Sequence, residues 1–268
     1  MTRFVFALLS LLLCGAFIGG ARAAPTDREL LLQFCAPKAI AGTTCKEAKS
    51  YPAVEERPCN VTLLPYRQEG RFLAGANPLL LVSYGSDCEA HVNNFGGVAV
   101  FEKVGSGYEF LSFQPGMGLN ECVIAAKDGA QDVLVCLTGG MWQGVVESGI
   151  ARVGFTSGSD GSFDMSFDLL LQAEDTTSAY TSNVVTCSEQ LNYFGLSKLA
   201  RGPRPGTVVA KVHYADRETI EKACAKAFPI PKDAEERGLR PGQAYVPTPN
   251  AKSGSVLIDI STRTVTMR

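Results

Sequence analysis

Residues 122–136 read CVIAAKDGAQDVLVC, and their near-symmetry decides how the rest of the chain is read. Two apolar runs flank Asp128-Gly129-Ala130, each run closes on a cysteine, and the glycine supplies the backbone freedom of a tight hairpin turn. A hairpin centred on those three residues pairs Lys127 with Gln131, Ala125 with Val133, Ile124 with Leu134 and Cys122 with Cys136. Directly opposed residues of an antiparallel pair lie about 4.5–5.5 Å apart at Cα, within the span of a disulfide. The segment predicts two antiparallel strands clipped by a Cys122–Cys136 bond.

Strand text extends outward from this hairpin. From Asn60 to Asp175, runs such as VTLLPY, LLLVSY, GVAVFEKV, YEFLSFQ, SGIARVGF and SFDMSFDLLLQ are separated by Gly, Asn or Asp, the punctuation of strands and turns. TVVAKVHY (207–214) predicts a further strand, and SVLIDISTRTVTM (255–267) a closing hairpin. Short helices are predicted over DRELLLQFC (27–35), SEQLNYFGLSKL (188–199) and ADRETIEKACAKAF (215–228). The expected organisation is a leader over 1–23, a helix and disulfide loop over 24–58, and a β-rich domain over 59–268 whose C-terminal part contains helices.

The leader follows from its three-part text. Arg3 gives a positive start, Phe4 to Ile18 an apolar run, and Ala21-Arg22-Ala23 an A-x-A cleavage signal, the pattern of a secretory signal peptide. The apolar run is shorter than the roughly 20 residues of a spanning helix, so no stable membrane insertion is expected after cleavage. Removal takes Cys14 from the nine cysteines and leaves an even set. An even set in an exported chain reads as disulfides formed in an oxidising compartment, periplasmic or extracellular. Cys35 lies near Cys45 in the chain, and Cys59–Cys88 and Cys187–Cys224 follow by elimination. Removal also takes Arg3 and Arg22 from the 25 basic residues against 27 acidic ones, moving the formal charge from −2 to about −4. Charges of both signs are interspersed, which excludes nucleic acid as the expected partner.

Two segments of the β-rich text resemble each other. LLLVSYGSDCEAHVNNFGGVAVFEKVGSGYEF from Leu79 and DVLVCLTGGMWQGVVESGIARVGFTSGSDGSF from Asp132 share a strand, a Gly-rich polar stretch, an alternating strand, a Gly-Ser turn and an aromatic strand start. Val82 corresponds to Val135, Gly97 to Gly149, Val98 to Ile150 and Phe110 to Phe163. A repeat of about 52 residues in short-strand text predicts antiparallel sheets in a propeller-like arrangement, with a β-sandwich as the alternative. DGAQDVLVC (128–136) resembles the blade motif of secreted FG-GAP (integrin-like) β-propellers, in which an acidic calcium loop precedes a strand of the type D-L-V-V. The chain keeps Asp128, Gly129 and Asp132 but lacks the D-x-D-x-D-G run, so neither a metal nor another cofactor is expected. The wider text is similar to exported bacterial proteins of uncharacterised role, which implies a localisation and no activity.

The repeat places CEAHVNNFGG (88–97) and LTGGMWQGVVES (137–148) in the same slot, after the first strand of each unit. Both read as long loops, and loops on a rigid sheet scaffold are where binding residues concentrate. The candidate contact residues are Glu89, His91, Asn93 and Asn94 from the first, and Trp142, Gln143 and Glu147 from the second. Amides and an aromatic ring suit hydrogen bonding and stacking with a glycan or an envelope protein. The expected function is a non-enzymatic binding module. The alternative is a periplasmic hydrolase using His91 or a carboxylate. No nucleophile elbow, zincin helix or phosphate loop occurs in the sequence, and His91 and His213 are the only histidines. Free-thiol counting on the denatured, unreduced mature protein should find essentially no reactive thiol.

Overall fold

The hairpin that opens the sequence reading exists with its cystine where the spacing puts it. The structure, a computed structural model, describes residues 24–48, 51, 58–88, 96–116, 118–142, 145–158, 163–175, 194–216, 218–219 and 252–268, without the side chains at 140–142, 145–147 and 174–175. The leader, Cys187, Cys224 and most of the helix expected over 215–228 lie outside the described residues. Strands β7 (Gly118–Asp128) and β8 (Gln131–Trp142) pair Cys122 directly with Cys136, whose Cα atoms are 4.0 Å apart. The turn is one residue tighter than the sequence suggests. Asp128 opposes Gln131, and Gly129 alone of the two central residues has positive φ, +60°, the pattern of a II′ turn. A bulge between Ile124 and Ala126 absorbs the difference and restores the Ile124–Leu134 and Cys122–Cys136 pairs.

The fold is mainly β, built as antiparallel meanders. The first sheet contains β1 (Ile40–Ala41), β2 (Thr44–Cys45), β3 (Val61–Gly70), β4 (Leu79–Ser86), β5 (Gly97–Val104) and β6 (Gly107–Pro115), side by side in chain order. The second contains β7, β8, β9 (Val145–Ser157) and β10 (Phe163–Asp175), and the third β11 (Phe194–Arg201), β12 (Thr207–Tyr214), β13 (Lys252–Asp259) and β14 (Thr264–Met267). In the two repeat segments, β4 and β8, β5 and β9, and β6 and β10 hold the same places in their meanders.

Alternation decides how the sheets stack. Leu80, Val82 and Tyr84 of β4, with Ala99, Phe101 and Phe113, face the N-terminal segment and bury Leu30, Leu31 and Phe34. Leu79, Leu81, Val98 and Val100, on the opposite face, pack against Leu134, Cys136 and Val153 of the second sheet. The other face of the second sheet, with Val135, Leu137 and Ile150, packs against Val208, Ala210, Val212, Val256 and Ile258 of the third. Strands β4 and β8 are apolar on consecutive residues because both of their faces are covered, as strands inside layered sheets must be. Helix α1 (Asp27–Leu31) caps the first sheet, and Thr26 and Glu29 form a capping box at its start. Cys35–Cys45 and Cys59–Cys88 are closed, with Cα separations of 5.8 and 5.2 Å. Three disulfides point to an oxidising, extracellular-type environment, and among the described residues no helix is long and apolar enough to cross a membrane.

Two sequence expectations fail. The first is the helix over 188–199, because Phe194–Arg201 is β11, paired antiparallel to β12. Phe194, Leu196 and Leu199 all contribute to the inner face, and a bulge at Lys198, with φ +52°, inserts one extra residue between the last two. That irregular spacing imitates helical periodicity, and pairing with β12 overrides it. The second is the loop expected over 138–148. β8 and β9 continue through it as a ladder, with Thr138 opposite Gly149 and Trp142 opposite Val145. The β-branched start of the β9 arm, Val145-Val146, favours pairing over a long connection.

The β11 bulge also ties two sheets together. It turns the Leu199 N–H towards β7, where it donates to Glu121 Oε2 at 2.5 Å. Glu121→Ala should lower stability by about 1–3 kcal/mol, read as a urea midpoint, and Glu121→Gln, which keeps an acceptor, should lose less.

Candidate functional site

The candidate contact residues are reached from strand ends held in tightly defined positions. Glu89, His91, Asn93, Asn94 and Gln143 lie outside the described residues. Trp142 ends β8, and Glu147 lies in β9 opposite Gly140 and Glu174; their side chains are likewise outside. The stretch 89–95 is framed on both sides. On one side, Cys88 is bonded to Cys59. Next to that bond, the Asn60 backbone and amide nitrogens donate to Asp87 Oδ1 and Oδ2 at 2.7 and 2.6 Å, and Asp87 N–H returns to the Asn60 carbonyl at 3.3 Å. On the other side, Gly96 has φ +111°. A side chain there would collide with the Tyr84 carbonyl, and one at Gly97 with the Gln114 carbonyl. Only glycine lets β5 re-enter the sheet so close to β4 and β6.

Hydrogen bonds between the first two sheets fix how those strand ends relate. Arg71 N–H, just after β3, donates to Asp132 Oδ2 at 2.8 Å, and Asp132 N–H donates to the Arg71 carbonyl at 2.7 Å. This places the start of β8 beside the turn that leads into β4. Further up, the buried Ser83 hydroxyl of β4 donates to the Leu119 carbonyl at 2.6 Å, and Leu119 is paired with Thr138 of β8. β4 and β8 therefore run the same way, and the β4–β5 and β8–β9 connections leave the stack at one end.

Asp132 and Glu121, the carboxylates of the first hairpin with described bonds, serve the fold. Asp132 accepts Lys127 Nζ at 2.8 Å as well as the Arg71 amide. Burial alone would raise its pKa, but these bonds and the Lys127 and Arg71 charges outweigh it and hold the carboxyl below its ordinary value. Glu121 is taken up by Leu199. His213 lies on β12 across from Gly195, where any side chain would meet the imidazole ring.

A polar cluster that the sequence does not announce lies at the opposite end of the strands of the first sheet. Glu69 on β3, Lys103 on β5 and Tyr108 on β6 converge beneath α1. Lys103 Nζ donates to Glu69 Oε1 at 2.7 Å and Tyr108 Oη to Glu69 Oε2 at 2.6 Å, while the Lys103 ammonium stands 5.8 Å from the Tyr108 ring centre. Burial opposes ionisation of Glu69, but the two donors and the Lys103 charge prevail and lower its pKa. Burial and the same carboxylate push the Tyr108 hydroxyl up to about 12. Between this cluster and α1 runs a cleft of about 800 Å³ with Leu30 and Leu80 among its lining residues, within the size range of small-ligand sites. The sequence carried one legible sign of it, the directly opposed Lys103–Tyr108 pair flanking the Gly105-Ser106 turn.

Comparison with family models, curated proteins and solved structures finds no match. The residues alone carry the functional argument.

The sign of the Asp132 effect is testable. A carboxylate whose pKa is depressed on folding contributes stability above its unfolded value near pH 4, lost as pH falls through the lower folded value. Asp132→Asn should cost about 1 kcal/mol at pH 6, and urea midpoints of the two proteins should converge as the pH is lowered below the unfolded value.

Proposed function

We propose that the protein is an exported, non-enzymatic binding module that engages an envelope protein or a glycan through the end of the stack from which the β4–β5 and β8–β9 connections emerge. The observation that carries this reading is the pair of inter-sheet contacts, Asp132–Arg71 and Ser83–Leu119, which orient β4 and β8 alike. Residues 1–23 act as a cleaved leader, and the mature chain resides in the periplasm or outside the cell, in keeping with its closed disulfides. The β3–β6 and β7–β10 meanders are propeller-like units, each sending its second-to-third-strand connection out at the same end. Glu89, His91, Asn93 and Asn94 from the β4–β5 connection, with Gln143 from the β8–β9 connection and Trp142 and Glu147 from the strands that lead into it, form the contact surface. Engagement of Glu121, Asp132 and Glu69 in bonds within the fold favours binding over carboxylate-based hydrolysis.

Immobilised mature protein should capture its partner from solubilised envelope, with the bound species identified as protein or glycan. The His91→Ala, Trp142→Ala double variant should capture at least about tenfold less at an unchanged urea midpoint. Undiminished capture by that variant would remove these two connections from the binding surface.

A further inference from the structure

We propose that the free edge of β14 pairs with the β14 edge of a second copy of the chain. Two four-stranded third sheets then join into one continuous sheet across a two-fold axis at Thr266. The proposal stands on strand register and does not depend on the export or binding reading.

The outer strands of this fold are of two kinds. An edge strand offers unpaired main-chain groups, and proteins blunt such edges with bulges, charges, proline or brevity. β1 is only two residues long. The outer strands β6, β7, β10 and β11 each carry at least one bulged residue of their own. These are Leu111 on β6, Asn120 and Ala125 on β7, Leu170 on β10 and Lys198 on β11. β14 instead pairs with β13 in unbroken register, and it contains neither proline nor a charge between Thr264 and Met267. Arg263 holds the turn before it against β10, donating to the Asp168 carboxylate at 3.0 Å and to the Leu169 carbonyl at 2.9 Å.

The register fixes what this flat edge presents. Arg268, the residue after β14, exchanges both main-chain bonds with Ser255, at 2.8 and 3.2 Å. Such pairs alternate along an antiparallel ladder. The amides and carbonyls of Val265 and Met267 therefore point away from β13, and none of them meets a partner among the described residues. Their side chains share the face of Ile258 and Val256, which are buried, yet stand 39% and 49% exposed. That is apolar surface at the rim of a core, which an added strand would cover.

The edge matches itself. Two copies running antiparallel about Thr266 bring Val265 of each opposite Met267 of the other, and each such pair exchanges two main-chain bonds between groups that already point outward. Val265 and Met267 of both copies adjoin on one face, and the two Thr266 side chains meet on the other, a favourable cross-strand pair. Arg268 opposes Thr264, and Arg263 is neutralised by Asp168 of its own chain, so like charges do not meet across the seam. A slip of one residue would set the outward groups against those of Thr266, which are turned towards β13. The interface is smaller than a standard one, so the dimer is weak and reversible, with a Kd on the order of 10–100 µM.

The test is sedimentation of the mature protein over a concentration series that brackets this range, in which monomer should give way to dimer. Val265→Pro removes an outward amide and no bond to β13, and should weaken dimerisation at least about tenfold. Met267→Lys, which puts like charges at the seam and keeps every main-chain bond within the sheet, should do the same at an unchanged urea midpoint. Register has its own readout. In oxidising buffer Thr266→Cys should give a disulfide-linked dimer, because directly opposed residues of a non-hydrogen-bonded pair lie about 4.5 Å apart at Cα. Thr264→Cys, which faces Arg268 instead, should not. Monomer throughout the series would overturn the proposal, whether another segment of the chain or a strand of another protein occupies the edge. Equal cross-linking of the two cysteine variants, or a dimer indifferent to both Val265→Pro and Met267→Lys, would overturn it as well.

Discussion

Everything else in the molecule depends on the burial of the second sheet on both faces. Along β8, Leu134 and Cys136 enter one core while Val135 and Leu137 enter the other. A one-residue slip would exchange these sets and place each against a surface shaped for the other. The Cys122–Cys136 bond prevents that slip at the point where both cores meet, and the bulge near Ala125 makes the short turn compatible with it. The buried hydroxyls of Ser83, Thr138 and Thr207 all donate to main-chain carbonyls. The buried hydroxyls of Tyr51 and Tyr84, under the N-terminal cap, make no hydrogen bond among the described residues, a cost that the aromatic packing around them must offset.

Local text was enough where a strand pairs with its immediate neighbour through a short turn. The Cys122–Cys136 hairpin, β5, β12 and the Val256–Met267 closing hairpin were legible because alternation, turn residues and length all agree there. The text misled where a bulge broke the period. At Lys198 one extra residue turned a two-residue rhythm into one that looks helical, and the reason for it, the Leu199–Glu121 bond, lies 78 residues away in the chain. The ladder at 138–148 was misread for a different reason. Its glycines signal a loop locally, whereas the β9 arm beyond Val145 makes extension the better solution.

The cleft under α1 shows where sequence reading stops. Glu69 and Lys103 are 34 residues apart, and they meet only because of the irregular register of β3. Between Leu63 and Arg67, around Pro65, that strand shifts against β4 and so sets which of its later residues look towards α1. Proline cannot donate to a ladder and tends to mark such irregularities. Neither the size of the shift nor the neighbour it selects is written in the local text. The end-of-stack surface is intermediate. The repeat made the equivalence of two connections legible, while their common direction required the Asp132 and Ser83 contacts.

Each described disulfide lies within the first sheet and its N-terminal cap or within the second sheet, and none of them joins one sheet to another. The layers are held to each other by apolar contact and a handful of hydrogen bonds. Denaturant that separates the layers would leave those covalent links closed. The unfolded oxidised chain would therefore keep a memory of its topology, with the first cap, the β3–β4 region and the β7–β8 turn each still looped at native separations. Refolding from that state becomes the docking of pre-threaded pieces rather than a search for partners along the whole chain.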